Sequence, residues 1–163
     1  MKSILPLILC VLLFNACKKE PIEKSNTSDY LVFGHFYGEC MGEGCVEIFK
    51  LTNTTLLEDT NDHYPGSQNA YNGNFSVDRS TFFSQVEDLW EVIPDNIFEE
   101  TETVIGQPDA GDWGGLYFEI QKENFHRYWL IDQQKSGIPE YLYELTDSIN
   151  AKISVLIQTE YQN

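Results

Sequence analysis

The chain has 163 residues, enough for one domain with a real core. Its 26 acidic residues against 10 Lys and Arg give a formal charge of −16, which repels polyanions and excludes a nucleic-acid-binding role. The same charge serves solubility, or it attracts divalent cations or a basic partner. Aromatics at 13% argue against disorder, because large rings supply the apolar surface that a packed core needs.

In chain order, Lys2 gives a positive start, Ile4–Phe14 is an uncharged apolar run, and Asn15-Ala16 precede Cys17. That order has the form of an export signal. The run is too short to span a bilayer, which takes about 20 apolar residues. Leu13-Phe14-Asn15-Ala16-Cys17 resembles the lipobox of bacterial lipoprotein precursors. The resemblance implies that residues 1–16 are a signal peptide. It also implies that Cys17 becomes the N-terminus, its thiol carrying acyl chains of the palmitate type. The membrane is then a partner through the lipid, and the protein belongs to the cell envelope. In that family an Asp after the lipidated cysteine retains the protein at the inner membrane. Lys18 stands there instead and points to an outer membrane, in either leaflet. Residues 17–29 are polar and charged and form a flexible tether, with Lys18 and Lys19 drawn to anionic head groups.

Residues 30–163 are expected to form a single α+β domain. Tyr30–Tyr37 and Cys45–Thr52 are rich in β-branched and aromatic residues and read as a hairpin around Met41-Gly42-Glu43-Gly44. Placing Cys40 opposite Cys45 pairs Phe36 with Phe49 and Gly34 with Leu51. Both faces of the hairpin are apolar, so it is expected in the middle of a covered sheet. The Phe33-Gly34-His35-Phe36-Tyr37-Gly38 strand and its nearby cysteines are similar to small uncharacterised lipoproteins of the Bacteroidetes type. No activity comes with that resemblance.

Leu56-Leu57 can continue the sheet, and Glu58–Asn74 reads as a long polar loop. Phe75–Val77 is a brief strand. Phe82, Val86, Leu89, Trp90 and Ile93 have helical spacing over Arg79–Val92, ended by Pro94. Glu102–Ile105 can pair briefly, and Leu116–Gln121 with Phe125–Ile131 forms a second hairpin. Ile138, Leu142, Leu145, Ile149, Ile153 and Leu156 make one apolar stripe on a helix from about Pro139 to Gln158. The expected architecture is an antiparallel sheet of about four to six strands against two helices, in the order hairpin, loop, helix, hairpin, helix.

Cys40 and Cys45 are the cysteines left in the exported body, which favours a disulfide. Redox work and a metal site with His35 are the other readings. The spacing is longer than C-x-x-C, acidic neighbours raise a thiol pKa, and a structural zinc site needs four ligands. His35 and Tyr37 point the same way from their strand and can line a pocket. Asp59, Asn61 and Asp62, with Glu58, form an oxygen-rich loop of the kind that binds calcium, although without the EF-hand pattern. Asp109 and Asp112 make a second such case, and calcium is the one cofactor these residues raise. Ordinary solvated turns are the simpler reading of both loops. Tyr71, Trp113 and Tyr117 can stack on a carbohydrate or a protein partner if exposed. No G-x-S-x-G or P-loop is present. The expectation is therefore a membrane-anchored envelope lipoprotein that binds without catalysis. The alternative is a hydrolase or metal-dependent enzyme using His35 and loop carboxylates.

Overall fold

The computed structural model describes residues 29–158. The expected signal peptide at 1–16, Cys17 and the tether up to residue 28 lie outside the described residues. Seven strands make one sheet: β1 (Tyr30–Phe36), β2 (Val46–Thr52), β3 (Leu56–Asp59), β4 (Phe75–Asp78), β5 (Val104–Ile105), β6 (Gly115–Lys122) and β7 (Phe125–Asp132). Their order in space is β4-β3-β2-β1-β6-β7-β5. All neighbours are antiparallel except β5, which runs parallel to β7 at the edge. One α-helix, α1 (Tyr143–Gln158), follows the sheet. The fold is thus mixed α and β with seven strands rather than four to six, and one α-helix among the described residues rather than two.

The helix expected at Arg79–Val92 is instead a series of 3₁₀ turns, Ser80–Gln85 and Glu87–Val92, followed by Asp95–Glu99. Their bonds run from residue i to i−3: Val86 N–H to Phe83, Leu89 N–H to Val86, Ile97 N–H to Pro94. Ser, Thr, Val and aromatic residues in this stretch have modest helix propensity. Among Glu87, Asp88 and Glu91 there is no cation within the turns to pair with. The three-residue period also aligns Val86 and Leu89, both fully buried, on one side.

The stripe on α1 behaves as its spacing requires. Leu145, Ile149, Ile153 and Leu156 are buried, as are Ile138 and Leu142 in the turns before it. Helical periodicity brings them to one side, where they pack with Leu31, Phe33, Phe49, Leu51, Phe118 and Trp129. Each such side chain stabilises the fold by about 1.5–3 kcal/mol. Among the described residues no helix is long and apolar enough to cross a membrane.

The central hairpin is present, with β1 as the middle strand of the sheet, but its register differs from the expected one. Phe36 lies opposite Val46, Gly34 opposite Ile48 and Phe33 opposite Phe49. The slip is an odd number of residues, so it exchanges the two faces. Phe33, Phe49 and Leu51 face the helix, while Phe36, Val46 and Ile48 face the other way. The reason is the turn. Residues Glu43–Cys45 coil into a 3₁₀ turn, and Tyr37 N–H donates to Cys45 O at 2.9 Å. The cysteines therefore close the loop itself rather than face each other across the ladder.

That second face is covered by the segment expected to be a solvated loop. Tyr64 meets Phe36 edge-on at 4.9 Å, and Tyr71 lies 5.6 Å from Tyr117. Tyr71 N–H donates to Tyr117 Oη at 2.8 Å, and Tyr128 Oη–H donates to Ser67 O at 3.0 Å. A polar seam runs beneath. Buried Glu119 accepts from Tyr30 Oη–H at 3.1 Å and from Tyr117 Oη–H, and His126 Nε2 lies 2.8 Å away. Partial burial, with Glu119 alongside, pushes the Tyr30 phenol up to about 12.

Candidate functional site

The strands give the sheet two distinct ends. Phe36, Val46, Gly115 and Asp132 sit at one end, and Tyr30, Thr52, Lys122 and Phe125 at the other. Asp29 Oδ1 accepts the Glu123 N–H at 2.9 Å, so the chain enters the domain at the Tyr30 end. The loops at the opposite end hold most of the polar geometry.

Asp132 closes β7 and is buried at 3% exposure, although it ends the apolar run Tyr128-Trp129-Leu130-Ile131. Its Oδ1 accepts the Trp113 Nε1–H at 2.9 Å and the Gln134 N–H at 2.8 Å. Its Oδ2 accepts the Gln107 N–H at 2.9 Å. One carboxylate thus ties both ends of the β5–β6 loop, at Gln107 and Trp113, to the turn after β7. Charge-assisted bonds of this kind are the strong ones, and they offset the cost of burying the ion. Gly106 and Gly137 permit the arrangement. A Cβ on Gly106 would fall 2.6 Å from Asp132 Cβ, and one on Gly137 would fall 2.7 Å from Asp132 Oδ2. Gly106 also has φ +78°, which a side chain disfavours.

Above Asp132 lies a cleft of about 560 Å³ lined by Gly106, Gln107, Trp113, Asp132, Gln134 and Ser136, with Gly137. Trp113 is half-buried; its indole is fixed by the bond to Asp132 and by packing against Gly111. Gln107, Gln134 and Ser136 form an exposed rim. Such a volume matches small-molecule sites, which run to about 300–1,000 Å³.

Asp109 organises the neighbouring loops. Its Oδ2 accepts Gly38 N–H at 2.7 Å and Tyr64 Oη–H at 2.9 Å, and its Oδ1 accepts Gly114 N–H at 3.1 Å. Burial and the Asp109 carboxylate push the Tyr64 phenol up to about 12. Asp59 does the same for its own loop. It is 3% exposed and accepts from Asn61 N–H and Asp62 N–H, both at 3.1 Å, from Tyr71 Oη–H at 2.6 Å and from Asn74 N–H. Asn61 and Asp62 themselves are exposed. Among the described residues, no group of three or more His, Cys, Asp or Glu side chains is arranged to hold a metal ion.

Cys40 and Cys45 form a disulfide, with Cα atoms 5.6 Å apart. The loop it closes is short, so the chain-entropy model gives it about 2 kcal/mol. Reduction should lower the unfolding free energy by that amount and leave the sheet intact. Urea titration with and without dithiothreitol checks this, and a collapse of the fold on reduction would contradict it.

His35 and Tyr37 do share a side, with ring centroids 5.0 Å apart, and neither lines the Trp113 cleft. His35 Nε2 bonds to Gly44 O at 3.2 Å, and His35 lies opposite buried Glu47 on β2. Burial lowers the His35 pKa below its ordinary 6.5, against a smaller opposing effect of the Gly44 carbonyl. The unfolded chain then binds the proton more readily, so this contribution to stability is intact above pH 6.5 and is lost as pH falls through the folded value. His35→Gln should flatten the melting-temperature profile between pH 7 and pH 5. An identical profile in both proteins would contradict this.

Sequence reasoning found Trp113 but missed Asp132, Gln107, Gln134 and Ser136. The available signal was a carboxylate ending an apolar strand directly before a Gln-Gln-Lys-Ser-Gly turn. Of the aromatics read as stacking candidates, Tyr117 is fully buried, while Tyr71 and Trp113 are half-buried. No protein-family model matches this chain, and no curated protein is significantly similar to it in sequence.

Proposed function

We propose that this chain is a lipid-anchored envelope protein that binds a small ligand, without chemistry, in the cleft between Trp113 and Asp132. One observation carries the reading of the cleft. Asp132 is the single titratable side chain among the described residues that line it, and it is engaged by three N–H donors. General acid–base or nucleophilic catalysis asks for titratable groups that converge on one point with atoms left to react. This carboxylate instead fixes loop geometry. Anchorage follows from the resemblance of residues 13–17 to a lipobox, and the entry of the chain at the Tyr30 end favours a cleft that faces away from the bilayer. The tether of about a dozen residues reaches at most about 40 Å when extended.

The anchor is tested by detergent phase partitioning of native cells. Wild-type protein should enter the detergent phase and Cys17→Ala protein the aqueous phase; equal partitioning would remove the anchor. The cleft is tested by mass spectrometry of small molecules that copurify with the detergent-extracted wild-type protein from native cells. Retained ligand should be lost in the Trp113→Ala variant, and equal retention by both would remove the cleft as the site.

A further inference from the structure

We infer that the Trp113 cleft takes a neutral, polyhydroxylated ligand, a saccharide of about one to three units. The inference rests on the proposal that this cleft is the binding site. Four features point to that chemistry.

The first is a rigid aromatic surface. The indole of Trp113 is bonded at Nε1 to Asp132 and packed on Gly111, so it does not have to be ordered when a ligand arrives. A flat apolar ring suits the C–H face of a pyranose. The second is the rim. The amides of Gln107 and Gln134 and the hydroxyl of Ser136 each donate and accept, as sugar hydroxyls do.

The third is the state of Asp132. An ionised carboxylate offers about four acceptor sites. Three N–H groups occupy Asp132, so it holds the indole and the Gln107 and Gln134 backbone in place and leaves ligand contact to the ring and the rim. The fourth is charge. No Lys or Arg is among the described residues lining the cleft, and the chain carries −16 overall, so an anionic ligand is disfavoured. A cation would find one aromatic ring rather than a cage, and a carboxylate whose charge is already shared among three donors.

Isothermal titration of the Cys17→Ala chain tests this against cellobiose, maltose, lactose, xylobiose and N,N′-diacetylchitobiose. Choline and glucose 6-phosphate serve as cationic and anionic probes. At least one disaccharide should bind with a Kd of about 1 mM or tighter. Trp113→Ala should weaken that binding about tenfold or more. Gln134→Ala changes an exposed rim residue; it should weaken binding while leaving the melting temperature unchanged, which separates loss of contact from loss of fold. If no disaccharide binds, the saccharide assignment is overturned. If choline or glucose 6-phosphate binds and Trp113→Ala abolishes it, the ligand class is wrong and the cleft stands. Disaccharide binding undiminished in both variants would remove the cleft itself.

Discussion

Asp132→Ala should be among the most destabilising single substitutions in this protein, costing about 3–5 kcal/mol. The carboxylate is 3% exposed and accepts from Trp113 Nε1–H, Gln107 N–H and Gln134 N–H. Truncation leaves three donors without their acceptor in a site where water enters only in part. Each such loss costs about 1–3 kcal/mol, and relaxation of the loops recovers some of it. The sheet beneath should survive, because β7 is paired with β6 along its whole length. Asp132→Asn should recover part of the loss, since its amide keeps one acceptor oxygen but turns an NH₂ toward an N–H donor. Urea unfolding followed by tryptophan fluorescence measures both variants. A loss below about 1 kcal/mol in Asp132→Ala would show that the loops hold themselves.

The second large effect is expected at Asp59. Asp59→Ala should cost about 2–4 kcal/mol and should act mainly on residues 60–74. Four donors from that segment converge on Asp59: Asn61 N–H, Asp62 N–H, Tyr71 Oη–H and Asn74 N–H. The cost is lower than at Asp132 because Asn61, Asp62 and Asn74 are exposed and can turn to water. Tyr71 cannot leave alone, since its N–H is bonded to Tyr117 Oη and its ring packs beside Tyr117. Hydrogen exchange should therefore accelerate across 60–74 and at the Tyr117 contact, while α1 keeps its protection. Uniform acceleration through α1 would mean that Asp59 supports the whole fold rather than one loop. Calcium bound at Asp59 would have to displace these donors, so a wild-type melt unchanged by millimolar calcium fits the same picture.

The sequence made regular periodicities legible. The Ile and Leu stripe of α1 appears at the predicted positions because a 3.6-residue repeat over sixteen residues has few other solutions. β1, β2, β6 and β7 were readable from their aromatic and β-branched content. Three features were hidden for separate physical reasons. The β1–β2 register depended on the shape of the disulfide loop, and a local 3₁₀ turn at Glu43–Cys45 shifted every pair. The 80–99 segment satisfies a helical and a 3₁₀ spacing with the same apolar residues, so pattern alone did not decide between them. The 60–74 segment looked solvated because its composition is polar. Its few rings, Tyr64 and Tyr71, nevertheless find Phe36 and Tyr117 on the sheet.

The cleft was the least legible part, because its members come from two segments far apart in sequence, the β5–β6 loop and the turn after β7. Gln107, Trp113 and Gln134 meet only when the parallel pairing of β5 with β7 places Ile105 beside Ile131. Nothing local in the sequence announces that contact. It joins the sheet edge to Asp132, and the same carboxylate then fixes the indole that lines the cleft.

The most direct measurement is a ¹H–¹⁵N correlation spectrum of the Cys17→Ala chain, with and without the dialysable small-molecule fraction of native cells. The chain has three tryptophans, so three indole signals report separately. Binding at the Asp132 end predicts that the Trp113 indole shifts together with the Gly106, Gln107 and Gln134 amides, while Trp90 and Trp129 stay in place. A stationary Trp113 signal, or shifts gathered around Tyr30 and Glu123 instead, would contradict it.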